Sequence, residues 1–461
     1  MSGKTSQRLF RARLDSMIEQ LTAQIRSGKI APGEYLPSEV DLAKQFALSN
    51  KSVRQGLDLL VEEQLIRKIP RVGNQVIGST EESAITIRLG YEGSMERDAA
   101  LYKLLMLFQH RYPAVRVKTV RMAASDNRTV KAYCEDGLID VWLISDSAFM
   151  EMADNGQVQL FEPLPPEPEV YPFLEEAFMF DGTVYARPVL FSPLVLGYNK
   201  AHFREAKVAE PDSSWTWGDC LNHARKLYRE RRRYGLLLNG ESQPLWTTLL
   251  LQSGMKFERS KDGLCDRAGT ALLDSLRMYR SLLHDPALLV PPLYGEDSDI
   301  VQLFADGHAS MIVTSYSALN GLTQAELDYD ICPLPYFVKP RTVTGAAGAC
   351  LSAASLHKQE ASLLIRYFGS DEGQHIIRQE TLSIPARKRN AEAAVPAGLN
   401  RPSRFDLFRD ILPYMRFPRD LNLNRHGFEQ LWKLMTLYGS RLIDDMELAD
   451  AVSDRLSEHI R

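Results

Sequence analysis

The sequence predicts an α/β protein with a small N-terminal domain and a much larger domain in which strands and helices alternate. The chain has 461 residues, which is enough for about three compact units of ordinary size. It is 44% hydrophobic with a formal charge of only -4, a combination typical of ordered chains. The charge is uneven: residues 1–78 hold 12 Lys+Arg and 8 Asp+Glu, so a basic head precedes an acidic body.

Several classes of protein are not expected. The first 20 residues are charged from the start and lack an apolar core, so we expect no secretory signal peptide. No run of 18 apolar residues predicts a membrane-spanning helix. The five cysteines are far apart and form no CxxC pair for metal or redox chemistry, which predicts free thiols in a cytoplasmic protein: Cys134, Cys220, Cys265, Cys332 and Cys350. The nine histidines are also scattered and no cofactor motif occurs, so we expect no metal and no cofactor.

Three helices are predicted in the head. Residues 8–27 carry apolar side chains at helical spacing and end before Gly28. A second helix follows Ser38, which has the side chain of an N-cap, with Asp41 three residues later. A third helix follows Ser49 and exposes polar side chains at its N-terminus, where backbone N–H groups suit a phosphate or a base edge.

A short basic hairpin completes the head. Residues 66–69 and 75–77 alternate as strands about the turn 70–74, with Lys68 and Arg71 near its tip. Three helices followed by such a hairpin predict a winged helix-turn-helix domain over residues 1–78, with a polar linker over 79–84.

This head resembles the GntR family of bacterial transcription regulators over about 70 residues, in the run PGEYLPSEVDLAKQFALSNKSVRQGLDLLVEEQLIRKIPRVGNQV. The resemblance implies operator DNA as a partner and a homodimer as the assembly. Val40 and Asn50 depart from the Arg common in the family, and Gly56 from Ala, so a dimerisation module that does not bind DNA stays an alternative. The residues expected at DNA are Ser38, Glu39, Ser49, Asn50, Lys51, Ser52, Arg54, Lys68, Arg71 and Asn74.

The body begins with a strand, helix, strand pattern. ITIRLGY (85–91) alternates as a strand, residues 98–112 form an amphipathic helix, and VRVKTVRM (115–122) alternates again. The apolar run DVWLIS (140–145) predicts a further buried strand. We expect a parallel α/β sheet whose strand ends collect the ligand residues.

Four segments of the body resemble, in order, the extracellular solute-binding proteins of type II that capture sugars, as maltose-binding protein does: residues 181–200, 214–227, 301–316 and 345–388. The resemblance covers about 370 residues and implies two α/β lobes with a ligand cleft between them. We expect one lobe at about 84–193 with 313–345, and the other at about 194–312 with 346–461.

Sugar binding needs flat aromatic faces and a few convergent polar groups. By resemblance, Trp246 lies where such proteins stack a sugar, and Tyr316 lies where an aromatic often lines the cleft. The other candidates occur at the predicted hinge or at strand ends, and each is also compatible with a core or solvated position: Phe191, Ser192, Trp142, Asp146 and Glu92.

A DNA-binding head joined to a sugar-binding body predicts a non-enzymatic regulator in which a small-molecule effector, expected to be a carbohydrate, changes operator affinity. Two alternatives remain. A pyridoxal-phosphate aminotransferase-like body would need a Schiff-base lysine, for which Lys256 and Lys261 are poor candidates, and no catalytic motif is present. A scaffold without ligand would have its cleft filled by its own side chains.

Overall fold

The computed structural model describes residues 13–14, 16–18, 20–22, 24–25, 29–31, 33–62, 65–70, 72–77, 84–122, 127–229, 232–239, 242–260, 263–264, 267–289, 297–394 and 398–460. It divides into two compact units, Met1–Thr86 with Gln109–Val117, and Ile87–Phe108 with Lys118–Arg461. The predicted linker lies almost entirely outside the described residues, as does Arg71. In the described part of the chain, no helix is both long and apolar enough to span a membrane.

The head has the predicted helices and hairpin. The described residues between 13 and 25 are helical, and they are followed by α1 (Glu39–Phe46), α2 (Asn50–Glu62), β1 (Ile66–Ile69) and β2 (Gly73–Val76). Ser38 is the N-cap of α1, because its Oγ accepts from the backbone N–H of Asp41 at 3.2 Å. The strands are antiparallel, with Ile69 opposite Gly73. The core of the head is apolar: Leu14, Met17, Leu21, Leu42, Val53, Leu57, Leu60, Ile66 and Val76.

Gly56 lies where the first helix of the head crosses α2. A Cβ at this position would lie 2.4 Å from the terminal methyl of Met17 and 3.1 Å from Leu14 Cδ1. The glycine weakens the helix by about 0.5–1 kcal/mol relative to alanine, but it allows the two helices to approach closely.

The body alternates strands and helices along most of its length. Its strands are β3 (Ile85–Glu92), β4 (Val115–Met122), β5 (Val141–Ser145), β6 (Met179–Phe180), β7 (Thr183–Val184), β8 (Ala186–Asn199), β9 (Tyr234–Leu237), β10 (Arg259–Ser260), β11 (Gly263–Leu264), β12 (Leu288–Leu289), β13 (Ala309–Ser315), β14 (Tyr329–Cys332), β15 (Thr342–Leu351), β16 (Ile384–Pro385) and β17 (Met415–Arg416).

Its α-helices are α3 (Met95–Asp98), α4 (Leu101–Arg111), α5 (Asn127–Glu135), α6 (Asp146–Asp154), α7 (Pro172–Ala177), α8 (Lys200–Ala206), α9 (Trp217–Leu227), α10 (Gln243–Gln252), α11 (Arg267–His284), α12 (Asp297–Ala305), α13 (Lys358–Phe368), α14 (Asp371–Glu380), α15 (Lys388–Ala391), α16 (Phe408–Ile411), α17 (Arg425–Gly439) and α18 (Asp445–Leu456). Short 3-10 turns lie at Val158–Leu160, Ala318–Leu322, Phe405–Leu407, Leu412–Tyr414, Pro418–Leu421 and Ser457–His459.

The main sheet has the strand order β12-β9-β13-β8-β15-β5-β3-β4, and its 14-residue strand β8 belongs to both halves. Residues 186–193 of β8 pair with β15, and residues 194–198 pair with β13. One strand therefore crosses from one half of the body to the other at residues 193–194. Two apolar clusters lie on this frame, one including α6 and the other including α10, α11, α17 and α18.

The pairing differs from the sequence expectation in two respects. The sheet is mixed rather than parallel: β3 and β5 are parallel, but β15 is antiparallel to both β5 and β8. In addition, two pairings join strands across the expected lobe boundaries. β14, within 313–345, pairs with the later half of β8, whereas residues 347–351 of β15 pair with β5. Local sequence does not identify a distant pairing partner, because that partner is selected by long-range packing.

Candidate functional site

A cavity of about 380 Å³ lies beside the point where β8 crosses between the two halves of the body. It is lined by strand ends, by the crossing strands β8 and β15, and by the first turns of α6 and α10: Glu92, Ser94, Met95, Asp98, 143–147, Leu190, Ser192, Leu194, Asn239, 242–245, Ile300, Val301, 312–315, Ser317, Ala318, 343–347 and Pro418. This volume falls within the range usual for small-molecule sites.

Asp146 is held at the start of α6. Strand β5 ends at Ser145, whose Oγ caps the helix by accepting from the N–H of Ala148 at 3.3 Å. Asp146 Oδ1 in turn accepts from the backbone N–H of Ala346 in β15 at 2.8 Å. The buried carboxylate is therefore oriented by two separate strands, and the helix N-terminus favours its negative charge.

Glu92 and Asp146 form an acidic pair on the cavity wall. Burial raises the pKa of Glu92 to about 7, and the negative charge of Asp146 acts in the same direction. Burial also raises the pKa of Asp146 to about 6, although the hydrogen bond from Ala346 and the charge of Arg419 oppose the shift. Both carboxyl groups consequently exchange protons near neutral pH.

Serine hydroxyls surround the crossing point. Ser192 Oγ donates to Ser317 Oγ at 2.9 Å and accepts from the backbone N–H of Ser317 at 2.8 Å. Ser315 Oγ lies 3.2 Å from Ser317 Oγ. These groups join β8 to the segment after β13 and present hydroxyls to the cavity. Such groups can hydrogen-bond to a hydroxylated ligand in either direction.

The structure brings three of the seven predicted ligand residues together at the cavity, namely Glu92, Asp146 and Ser192. The four predicted aromatic residues are absent from its described lining. The polar residues, which were expected at strand ends and at the hinge, are therefore the part of the prediction that coincides with the cavity.

Trp246 and Tyr316 are packed inside the protein. Trp246 is 1% exposed, and its ring lies 5.9 Å from the ring of Phe428 and 6.1 Å from that of Trp432. The hydroxyl of Tyr316 donates to the carbonyl of Phe405 at 2.8 Å. Residues 242–245, before Trp246, and residues 312–315, before Tyr316, do line the cavity. The helix and strand thus turn these two aromatic rings away from it.

Phe191 and Trp142 are also core residues. Leu190, Ser192 and Leu194 line the cavity, so Phe191 between them faces the other side of the strand, where it packs on other aromatic rings. Trp142 is 2% exposed and comes directly before Leu143, where β5 begins to line the cavity. Both residues contribute to packing rather than to the described lining.

Sequence reasoning missed most of the polar lining. The residues it did not select are small and polar, and they lie at the ends of strands or at helix starts: Ser94, Asn239, Ser242, Gln243, Thr314, Ser315, Ser317 and Thr344. A usable signal was present in IVTSYS (312–317), where polar residues interrupt an apolar run. The search for aromatic residues directed attention to Tyr316 instead.

The predicted DNA-binding residues of the head have different structural roles. Ser38 and Ser49 cap α1 and α2, with Ser49 Oγ accepting from the N–H of Ser52 at 3.2 Å. Ser52 and Asn74 are buried. Asn50 and Lys51 are exposed at the start of α2.

Two basic side chains of the head form ion pairs. Arg54 Nε lies 2.6 Å from Glu39 Oε2, which joins α2 to α1, and Lys68 Nζ lies 2.5 Å from Asp58 Oδ1. The side chain of Arg54 is nevertheless 63% exposed. Exposed pairs of this kind contribute little to stability, so both cations are accessible to a polyanion.

Comparison with known proteins identifies both parts of the chain. The family described as bacterial extracellular solute-binding protein matches residues 108–398. The chain belongs to this family. A second match, to the gntR family of bacterial regulatory proteins, covers residues 15–76. This solute-binding family member therefore carries a GntR helix-turn-helix domain before a solute-binding domain of the sugar type.

Its relatives resemble one part or the other. The HTH-type transcriptional repressor NagR of Bacillus subtilis is 39% identical over 69 residues, 15% of this chain and 28% of NagR, so the chain spans little more than a quarter of that relative. An ABC substrate-binding protein of Listeria monocytogenes in complex with cycloalternan has a TM-score of 0.67 at 17% identity, over 80% of this chain and 97% of that one. Maltose-bound T. maritima MalE3 has a TM-score of 0.68 at 16% identity, over 80% and 98%. This chain shares the fold of these two solved structures.

Proposed function

We propose that this chain is a cytoplasmic transcription regulator that binds operator DNA through its head and a carbohydrate effector in the cavity of its body. The cavity beside the crossing strand carries this proposal, because it places hydroxyl, amide and carboxylate groups around a volume suited to a small ligand. Solute-binding relatives of the same fold are described with cycloalternan and with maltose.

For the head, we propose that the exposed N-terminus of α2 and the β1–β2 hairpin contact DNA. Lys51, Arg54 and Lys68 would contact phosphates, and the Asn50 amide would contact an adenine edge, the base that such a side chain pairs with best. The caps Ser38 and Ser49 would support this surface by fixing the helix starts. A homodimer would place two heads on two half-sites.

The cavity also bears on the two alternatives. Its described lining contains no lysine, so it offers no amine for a pyridoxal-phosphate Schiff base. A scaffold without a ligand would have this space filled by its own side chains, and a volume of about 380 Å³ is open instead. Both observations favour the ligand-responsive regulator.

The proposal is tested in two steps with the full chain. Selection from random double-stranded DNA yields an operator sequence, and its affinity is then measured with and without each member of a carbohydrate panel that includes maltose. We expect one class of carbohydrate both to raise the melting temperature and to change operator affinity. Failure to enrich any DNA sequence would contradict the role of the head. Enrichment without a response to any carbohydrate would contradict the role of the body.

A further inference from the structure

The charged side chains among the described lining residues of the cavity are all acidic. Its described lining includes the carboxylates of Glu92, Asp98 and Asp146, but no Lys, Arg or His side chain. Asp98 already has a partner, since Arg97 Nε donates to its Oδ1 at 2.8 Å. Glu92 and Asp146 therefore remain without a cation among the described lining residues.

The nearest cations on the Asp146 side belong to other contacts. Arg419 acts on Asp146 electrostatically, but its guanidinium donates to the carbonyl of Glu176. Arg425 lines a second cavity together with Asp146 and Arg419. Its guanidinium lies 3.5 Å from Glu151 and 3.2 Å from Glu429. Neither arginine is among the described lining residues of the main cavity. On the Glu92 side, the guanidinium of Arg121 lies close to Gly93 without lining the cavity. The described lining therefore supplies no cation to the acidic pair.

A second feature indicates a missing polar partner. Thr314 lines the cavity and is only 6% exposed, yet its Oγ1 has no hydrogen-bond partner within the described part of the chain. A buried hydroxyl without a hydrogen-bond partner is unfavourable. A ligand with its own donors and acceptors can supply this missing bond.

We propose that the effector is a carbohydrate that carries a positive charge, namely an amino sugar with a free, protonated amine, bound by Glu92 and Asp146. This inference rests on the proposed function and narrows its ligand class. Buried carboxylates are costly unless they are paired and hydrogen-bonded. A ligand ammonium supplies both the charge and three donors, whereas a neutral sugar supplies donors only, and a phosphorylated sugar adds repulsion.

Matched sugars test the inference on the full-length protein. Calorimetry at pH 7.5 compares glucosamine, galactosamine and mannosamine with their parent sugars and N-acetyl derivatives, and includes glucose 6-phosphate. We expect at least one amine to bind about tenfold or more tightly than its two neutral counterparts, with no binding of the phosphate. Repeating the titration in buffers of different ionisation enthalpy measures the net proton change, in which release from the carboxyl groups is opposed by uptake onto the ligand amine.

Two variants identify the groups responsible. Glu92→Gln should reduce the preference for the amine to about two- to threefold or less. Glu96→Gln removes a carboxylate of the same segment that accepts from Tyr91 outside the cavity lining, and it should keep the full preference.

The outcomes separate this inference from the proposed function. A neutral sugar that binds as tightly as its amine overturns the charged ligand but supports a carbohydrate sensor. An amine preference that survives Glu92→Gln overturns the assigned site. If none of the three amines binds, the inference is also overturned. The operator-affinity measurements with the neutral carbohydrates then test the proposed function separately.

Discussion

At the residue scale, the cavity contains acidic side chains whose burial opposes their usual ionised state. Asp146 is buried yet accepts a backbone hydrogen bond from another strand, and Glu92 beside it has its pKa raised to about 7. Natural proteins retain groups of this kind mainly at functional sites, since they lower stability. The acidic pair is therefore the feature most directly open to test.

Glu92→Gln should stabilise the protein at alkaline pH. A carboxyl whose folded pKa is raised binds its proton more tightly in the folded state, so it costs stability above that pKa and progressively less as pH falls toward its unfolded value. We expect the variant to raise the free energy of unfolding at pH 8 by about 1–3 kcal/mol and to have little effect at pH 5. Denaturant titrations at both pH values measure this difference.

The control for this experiment is Glu96→Gln. The hydrogen bond from Tyr91 lowers the pKa of Glu96, so its ionised form is the stabilising one and the substitution should not stabilise the protein at pH 8. An equal gain for both variants, or a Glu92→Gln effect independent of pH, would contradict the assigned environment. Of the other charged groups, Arg419 acts on Asp146, and Asp98, which lines the same cavity, is paired with Arg97.

Arg54 allows a second test at this scale. If its exposed guanidinium contacts a phosphate, Arg54→Ala should weaken DNA binding and reduce the slope of log affinity against log salt by roughly one unit. Because Arg54 also pairs with Glu39, Glu39→Gln measures the contribution of the ion pair alone, and we expect it to weaken binding less than Arg54→Ala does. Equal losses in the two variants would show that the ion pair matters only for the structure of the head. Salt titrations by fluorescence anisotropy measure both slopes.

At the scale of elements, the position of a side chain on its helix or strand decides its role. The first turn of α10 lines the cavity, whereas Trp246 one residue later lies in the core against Phe428 and Trp432. Side chains of a strand alternate between its two faces, so Phe191 points away from the cavity that Leu190 and Ser192 line. A segment can therefore be correctly chosen as functional while its most conspicuous residue is structural.

Trp246→Ala should consequently destabilise the fold. Loss of a fully buried tryptophan costs about 3–5 kcal/mol because a cavity remains where the ring was. Tyr414→Ala, at a side chain 44% exposed, should cost far less. Thermal melts compare the two. A Trp246→Ala protein of normal stability that no longer binds its ligand would instead place this ring in the binding site.

A close approach between α9 and β9 makes a further prediction. A Cβ on Gly235 would lie 2.0 Å from the backbone oxygen of Ala224, an atom that cannot move without the helix. Gly235→Ala should therefore reduce stability by about 3 kcal/mol or more. Gly218→Ala, within α9, meets its nearest atom at 3.5 Å and should be neutral or stabilising by up to about 1 kcal/mol. Similar melting temperatures for the two variants would contradict this packing.

At the scale of the whole molecule, the proposed function requires the ligand and DNA to be coupled. A ligand changes operator affinity only if it binds two conformations of the protein unequally. The predicted linker over 79–84 is short, and a chain of this length spans only about 20 Å when fully extended. A change in the body should therefore be transmitted to the head.

We expect saturating effector to change operator affinity by about 5- to 150-fold, and operator DNA to change effector affinity by the same factor, because coupling is reciprocal. Insertion of flexible Gly-Ser residues into the linker should leave the separate affinities nearly unchanged and reduce the coupling. Calorimetric titration of effector with and without operator measures the factor. Identical effector affinities in the unaltered protein would contradict the sensor function.

The sequence by itself determined the domain order, the family of each part, the helices and hairpin of the head and the first strands of the body. These features depend on local periodicity, caps and turns, such as Ser38 before α1 and the alternation of β3. It also located Glu92, Asp146 and Ser192 at strand ends and the hinge. Only the tertiary structure decided that β15 pairs with β5, and that Trp246 and Tyr316 face the core. Those outcomes depend on contacts between residues far apart in the chain, which local patterns do not specify.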